Sequence, residues 1–324
     1  MDIKVEIKGL KKHFGKTKAV DNIDFAFESG NTYAFIGPNG AGKTTTMRLI
    51  ATMDLPTAGD ITINDISVFD FPDVARELIG FVPDALPSIK NITVHEYIDF
   101  FARAYGLKGK RRDNSVKDVE EFTGLDKFQD KTLAALSKGM KQRVCLGRAL
   151  IHDPPILIMD EPAAGLDPRA RVELRELIAL LTEQGKAILI SSHILTELTD
   201  ICNGAIIIEK GKVIHCGDYE SILDTGLSLN GKMNKNGEKI KITNIRIKLL
   251  HDAEKLVKEL LTLPKIYGAD TIKNEVILGY GGNEQESAEL LASLIKKGYL
   301  ITEFRKHKSS LEDAFMNLTK GELQ

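Results

Sequence analysis

The chain has 324 residues, 43% of them hydrophobic and 28% charged, with a formal net charge of −2. These are the proportions of an ordinary globular protein with material for about two domains, and the near-balance of charge weighs against nucleic acid as the main partner, because phosphate binding needs a local basic excess. The three widely spaced cysteines fit neither a metal site nor a disulfide framework, and no run approaches the roughly 18 consecutive apolar residues of a membrane span.

The N-terminus alternates charged and apolar residues where a secretory signal needs a continuous apolar stretch, so the expected location is the cytosol. Ile3, Val5 and Ile7, and again Ile23, Phe25 and Phe27, repeat with the period of half-buried strands. Tyr33 to Ile36 is a short apolar strand, broken by Gly37 to Gly42 before a helix expected from Lys43 to Thr52. Helical patterns follow over Val94 to Gly106 and Val116 to Thr123. Next come a buried strand (Ile156 to Met159), a helix (Arg169 to Gln184) and a second buried strand (Ala187 to Ile190). Apolar strands alternating with amphipathic helices predict an α/β fold with a parallel sheet covered on both faces.

Residues 224–238 are polar and rich in Gly and Asn, which predicts a linker between a first domain, 1–223, and a second, 239–324. Beyond it the pattern reads strand (Ile240 to Leu249), helix (Asp252 to Leu263), one or two strands (Ile266 to Leu278), helix (Asn283 to Lys297), strand (Leu300 to Phe304) and a last helix from Ser310. That order suggests a small α+β, ferredoxin-like unit.

Gly37-Pro38-Asn39-Gly40-Ala41-Gly42-Lys43-Thr44-Thr45 carries the most specific chemistry in the chain. It fits the P-loop pattern between a strand and a helix. Glycines let the backbone curl so that successive N–H groups face phosphate oxygens, and the helix N-terminus adds positive potential. Lys43 supplies a charge to the terminal phosphates, and the Thr44 hydroxyl is a Mg²⁺ ligand in such loops. A nucleotide triphosphate site is therefore predicted. Downstream, the strand Ile156 to Met159 ends in Asp160 and Glu161. Ligands of a parallel sheet sit at the carboxyl ends of its strands, so Asp160 is placed for Mg²⁺ and Glu161 for general-base work on the attacking water.

Five further segments, in order, resemble the ATP-binding subunit of ABC transporters over about residues 2 to 220. Leu136-Ser137-Lys138-Gly139-Met140-Lys141-Gln142-Arg143 resembles the family signature, and Pro162 to Pro168 resembles its D-loop. Ser191-Ser192-His193 resembles the switch histidine, Phe14 with Gly15 and Val20 the adenine-stacking loop, and Ile79 to Asp84 the Q-loop. The resemblance implies a P-loop fold with an N-terminal β-subdomain and a helical subdomain. It also implies that Phe14 and Val20 contact the base, that His193 bonds the γ-phosphate, and that Ser137 and the Gly139 amide reach ATP held by a second ATPase subunit. ATP and Mg²⁺ are the implied cofactors, and an integral-membrane permease is the implied partner, with the chain peripheral on the inner face of the membrane.

Two positions depart from the pattern. The Q-loop glutamine is Asp84, an acid able to ligate Mg²⁺ but shorter in reach, and the signature carries Lys138 and Met140 in place of glycine and glutamine. With Lys43, Thr44, Asp160, Glu161 and His193 all present, an active ATPase is expected, of modest turnover. The signature wording and the closing Ser310 to Thr319 resemble bacterial exporter-type ATPases of the multidrug and sodium efflux kind. The alternative is a soluble ABC ATPase acting on DNA or ribosomes. It is disfavoured because the chain has one ATPase module and no long coiled coil between Lys43 and Ser137. Basic clusters at Lys108, Lys110, Arg111 and Arg112, and at Arg305, Lys306 and Lys308, read as solvated faces, the first alternatively as a contact with lipid headgroups or permease.

Overall fold

A computed structural model of the chain describes residues 2–86, 89, 91–193, 201–218 and 243–306. These fall into two compact units, residues 2–218 and 243–306. The predicted linker and the helix from Ser310 lie outside the described residues.

In the first unit, β1 (Lys4–Phe14), β2 (Thr17–Glu28), β4 (Ala58–Ile63) and β5 (Ile66–Ser67) form an antiparallel sheet in the order β2-β1-β4-β5. The expected alternation is present: Val5 and Ile7 are buried and pair with Phe27 and Phe25 across the ladder. The second sheet has the order β10-β9-β3-β8-β7-β6. Its strands β3 (Thr32–Ile36), β6 (Ile79–Val82), β7 (Ile156–Met159), β8 (Ala187–Ser192) and β9 (Gly204–Glu209) run parallel, and β10 (Lys212–Asp218) closes the edge antiparallel. Every residue of β7 and β8 is buried, as a parallel strand covered on both faces requires. One core joins the two sheets, with Ile7 and Phe25 from the antiparallel sheet, Phe35, Ile158 and Leu189 from the parallel one, and Met47 and Ile50 from α1 (Lys43–Ile50).

After α2 (Pro72–Leu78) and β6 comes a helical segment of α3 (Val94–Ala104), α4 (Gly109–Thr123) and α5 (Lys138–Leu150). Thr93 and Glu96 form a capping box that starts α3. Helix α4 begins earlier than its apolar pattern indicates. Its first turns, Gly109 to Ser115, carry no apolar stripe, and only Val116, Val119, Glu120 and Thr123 are buried. Part of the basic cluster is spent here: Arg112 pairs with Asp99 of α3 and with Asp113. Asp167 caps α6 (Pro168–Glu183), with Pro168 at the first helical position, where its missing N–H costs nothing.

The second unit is β11 (Thr243–Leu249), α7 (Ala253–Leu260), β12 (Ile266–Ile272), β13 (Glu275–Tyr280), α8 (Glu284–Lys296) and β14 (Ile301–Lys306). The sequence left one or two strands open between the helices; the structure has two, turned at Lys273, whose φ is 56°. The sheet order β12-β13-β11-β14 is wholly antiparallel and is that of a ferredoxin-like unit. Ile247, Val276 and Leu278 of the sheet bury against Leu256, Leu260 and Leu294 of the helices. Asn283 and Glu286 cap α8 reciprocally.

A half-buried histidine packs the end of α5 against the end of α3. The His152 ring, just beyond α5, stacks on Tyr105 at the end of α3 with centroids 3.8 Å apart and planes 8° apart. Burial pushes its pKa down to about 4, opposed by the Ile79 backbone and Asp153. The unfolded chain takes up a proton near pH 6.5 that the folded chain refuses until about pH 4, so stability falls as pH falls through that window. Urea unfolding of His152→Phe, which keeps a ring against Tyr105, is expected to show less loss of stability between pH 6.5 and 4 than the parent chain; parallel pH profiles would remove His152 from that role.

Candidate nucleotide site

The site grows from strand ends. β3 stops at Ile36, and the chain turns through residues 37–42 into α1, so the N-terminus of that helix faces the carboxyl edge of the parallel sheet. Gly42, the residue before the helix, has φ 105°, and a Cβ there would lie 2.3 Å from the Ala19 carbonyl oxygen. Gly37 is held as closely, with the Ile208 carbonyl oxygen 2.3 Å from where a Cβ would stand. The loop is thus pressed against its neighbours in a form that only glycine permits.

Lys43 opens α1 and is 6% exposed. Its Nζ donates to the Gly37 carbonyl at 2.8 Å and the Pro38 carbonyl at 3.3 Å, and lies 3.3 Å from Glu161 Oε1. The other Glu161 oxygen is 2.6 Å from His193 Nδ1. An ionised carboxylate only accepts, so that ring nitrogen carries the proton. Asp160 and Glu161 follow β7, and His193 follows β8, the adjacent parallel strand, which brings the three together.

Beneath them lies Ser191, wholly buried in β8. Its hydroxyl donates to Asp160 Oδ1 at 2.7 Å and accepts the Glu161 amide at 2.8 Å. Asp160 is 4% exposed. Burial pushes its carboxyl above the ordinary range, hydrogen bonds from the Ser191 and Thr44 hydroxyls oppose that, and repulsion from Asp84 and Glu161 adds to it. A buried carboxyl crowded by two others and touching the Thr44 hydroxyl is suited to a divalent cation. Mg²⁺ takes only one or two protein ligands and fills its shell with water and phosphate, so the donor set fits it. Among the described residues no cluster of three or more ligating side chains forms a cage of its own.

These groups edge a cleft of about 410 Å³. Asn39, Gly40, Gly42, Lys43, Thr44 and Thr45 of the loop and α1 line it together with Asp84, Glu161 and His193. Ala41 is buried, with its side chain in the core rather than the cleft. Val20 is wholly buried in the core and does not line the cleft, whereas its neighbour Ala19 does. Asn22, at φ 61°, breaks the alternation of β2 between Val20 and Ile23, and this brings the Val20 side chain back to the inner face. Phe14, at the end of β1, is 54% exposed, with the Lys12 ammonium 4.9 Å over its ring. Ser137 and Gly139 stand apart from this cleft. The Ser137 hydroxyl caps α5 by accepting the Met140 amide at 3.3 Å, and Gly139 faces Ala170 at the start of α6. Between them Lys138, read only as a departure from the signature, reaches the cleft rim beside Ala164. The motifs give Ser191 no role of its own; a hydroxyl directly after four apolar residues of a buried strand is the sequence signal that marks it.

Residues 20–164 match the ABC transporter family. Over 320 residues the chain is 30% identical to Nod factor export ATP-binding protein I of Cupriavidus metallidurans, covering 99% of this chain and 98% of that one. The chain belongs to the ATP-binding proteins of the ABC transporter family. This ABC ATPase is also similar to linearmycin resistance ATP-binding protein LnrL of Bacillus subtilis, 33% identical over 213 residues, or 66% of this chain and 68% of that one. Among solved structures, an ATP-binding subunit of an ABC transporter covers 70% of this chain and 95% of its own, with TM-score 0.63 and 31% identity. The ATP-binding cassette MJ0796, a dimer in a post-hydrolysis state bound to ADP and Pi, covers 66% of this chain and 98% of its own, with TM-score 0.60 and 25% identity. Like its family, this ABC ATPase binds and hydrolyses ATP.

The loop geometry sets a direct test. A Cβ at Gly42 must displace the Ala19 backbone or abandon φ 105°, and either moves the loop amides that precede α1. Gly42→Ala is expected to weaken ATP binding by at least about tenfold, the equivalent of about 1.4 kcal/mol, in a fluorescent-nucleotide titration. Unchanged affinity would show that the loop accepts another path.

Proposed function

We propose that this chain is the motor subunit of an export system: it hydrolyses ATP and drives movement of a substrate through a separate integral-membrane permease. The reading is supported by the names of its relatives, which are an export ATP-binding protein and a resistance ATP-binding protein. No helix among the described residues is long and apolar enough to cross a membrane, so the conducting path is assigned to another polypeptide. On this reading the chain works on the inner face of the membrane and pairs with a second ATPase subunit, as the dimeric cassette similar to it does with its own copy.

The observation that carries the hydrolytic reading is the chain of contacts Lys43–Glu161–His193 at the mouth of the phosphate loop. Lys43 and the loop amides hold the β- and γ-phosphates. The arriving phosphate competes with Glu161 for the ammonium and frees that carboxylate to polarise water, with His193 fixing its other oxygen. Thr44 and Asp160 would hold Mg²⁺, with Asp84 reaching it directly or through water, and the ion would neutralise charge that develops on the phosphates. Phe14 offers its free ring surface to the adenine, a stack worth about 1–3 kcal/mol by analogy with bases on aromatic side chains in nucleic-acid complexes. Ser137 and the Gly139 amide, outside their own cleft, serve ATP bound to the second subunit. The C-terminal unit is an accessory domain.

Turnover of the purified chain tests the base assignment. Glu161→Gln keeps the size and polarity of the side chain but cannot take a proton. It is expected to lower kcat by about 10²–10⁴-fold while ATP still binds. A kcat within twofold of the parent would remove Glu161 from the base role.

A further inference from the structure

We propose that Ser191 is a positioning residue for hydrolysis: its buried hydroxyl locks the backbone turn at Glu161 and thereby aims the base. This deepens the hydrolytic reading above and rests on it.

Three observations carry the inference. First, Ser191 follows Ala187 to Ile190 in a strand whose residues are all buried, a setting in which a hydroxyl is costly unless both its donor and acceptor capacities are used. Both are used, and on consecutive residues of the neighbouring strand end: it donates to Asp160 Oδ1 at 2.7 Å and accepts from the Glu161 amide at 2.8 Å. Second, Glu161 has φ 48°, a left-handed conformation that a residue with a Cβ rarely adopts and holds only where its surroundings fix it. The Ser191 bond holds the amide whose orientation defines that conformation. Third, the φ at Glu161 sets where its carboxylate points, and in this conformation one oxygen meets Lys43 at 3.3 Å and the other meets His193 at 2.6 Å. Without the hydroxyl, the Glu161 amide loses its partner and the residue can relax toward φ below zero, carrying the carboxylate off the line between lysine and histidine. Phosphate binding by Lys43 and the loop amides does not depend on where Glu161 points, and Asp160 keeps its Thr44 partner, so the loss falls on the chemical step.

The test is a double-mutant cycle on the full chain, with kcat and KM from ATP turnover and Kd for ATP from calorimetry. Ser191→Ala is expected to lower kcat about tenfold with KM and Kd within twofold of the parent, and Ser191→Thr, which keeps the hydroxyl, to recover most of the rate. In a Glu161→Gln background, Ser191→Ala is expected to change the residual rate less than twofold, because the group it aims is already disabled. Ser191→Cys fills the same space with a weak hydrogen-bonding thiol; it is expected to lose rate as the alanine variant does, and it supplies the measurement if the alanine variant does not fold. The inference is overturned if Ser191→Ala leaves kcat unchanged, if the tenfold loss persists in the Glu161→Gln background, or if the loss lies in Kd. A parent chain whose kcat is indifferent to Glu161→Gln overturns the base assignment itself. Full sensitivity to Glu161→Gln with silent Ser191 variants overturns only the present inference.

Discussion

An ammonium group held almost out of water governs this structure. Removing a cation from solvent costs several kcal/mol unless other groups take over its hydration. Lys43 recovers that cost from the Gly37 and Pro38 carbonyls and the Glu161 carboxylate. Each of those partners fixes something beyond itself. The carbonyls belong to a loop so close to Ala19 and Ile208 that glycine is required at positions 37 and 42. The carboxylate binds the end of β7 to the start of α1 and, through His193, to the end of β8. A phosphate offers the same lysine more negative charge than any of them, so the contacts that hold the ammonium in place also suit it to a phosphate.

The order of strands makes that concentration of charge possible. β3, β7 and β8 are parallel neighbours or next neighbours, so their carboxyl ends lie together and the residues that follow them share one edge. The charged pair Asp160 and Glu161 could stand nowhere else without losing either Lys43 or Ser191. Asp160, pushed above its ordinary range by burial and by two nearby carboxylates, gives the edge an appetite for a cation. The second unit has its own core, mostly Ile, Leu and Val, under a ferredoxin-like sheet, and its own capped helix.

Much of this was legible in the residues because it depends on local chemistry. The loop from Gly37 to Thr45 declares its curl through its glycines, and the strand from Ile156 declares its burial by having no polar residue before Asp160. The alternation in Ile3 to Ile7 and Ile23 to Phe27 gave the inner faces of β1 and β2. What sequence hid was decided by tertiary contact. The first turns of α4 carry no periodic apolar signal, and Val20, adjacent in sequence to the cleft, faces the core because the alternation of β2 breaks at Asn22. The apolar run before Ser191 marks its hydroxyl as buried but not its partners: the bridge spans about thirty residues and exists only once β7 and β8 pair side by side.

The measurement that bears most directly on this account is calorimetric titration of ATP with Mg²⁺ into the full chain and into Lys43→Met, which keeps the length of the side chain and removes its charge. The account predicts that the parent binds in a magnesium-dependent manner and that the variant loses about a hundredfold or more in affinity, equivalent to about 2.7 kcal/mol. Affinity of the variant within about twofold of the parent would contradict the claim that this buried ammonium is what the nucleotide's phosphates engage.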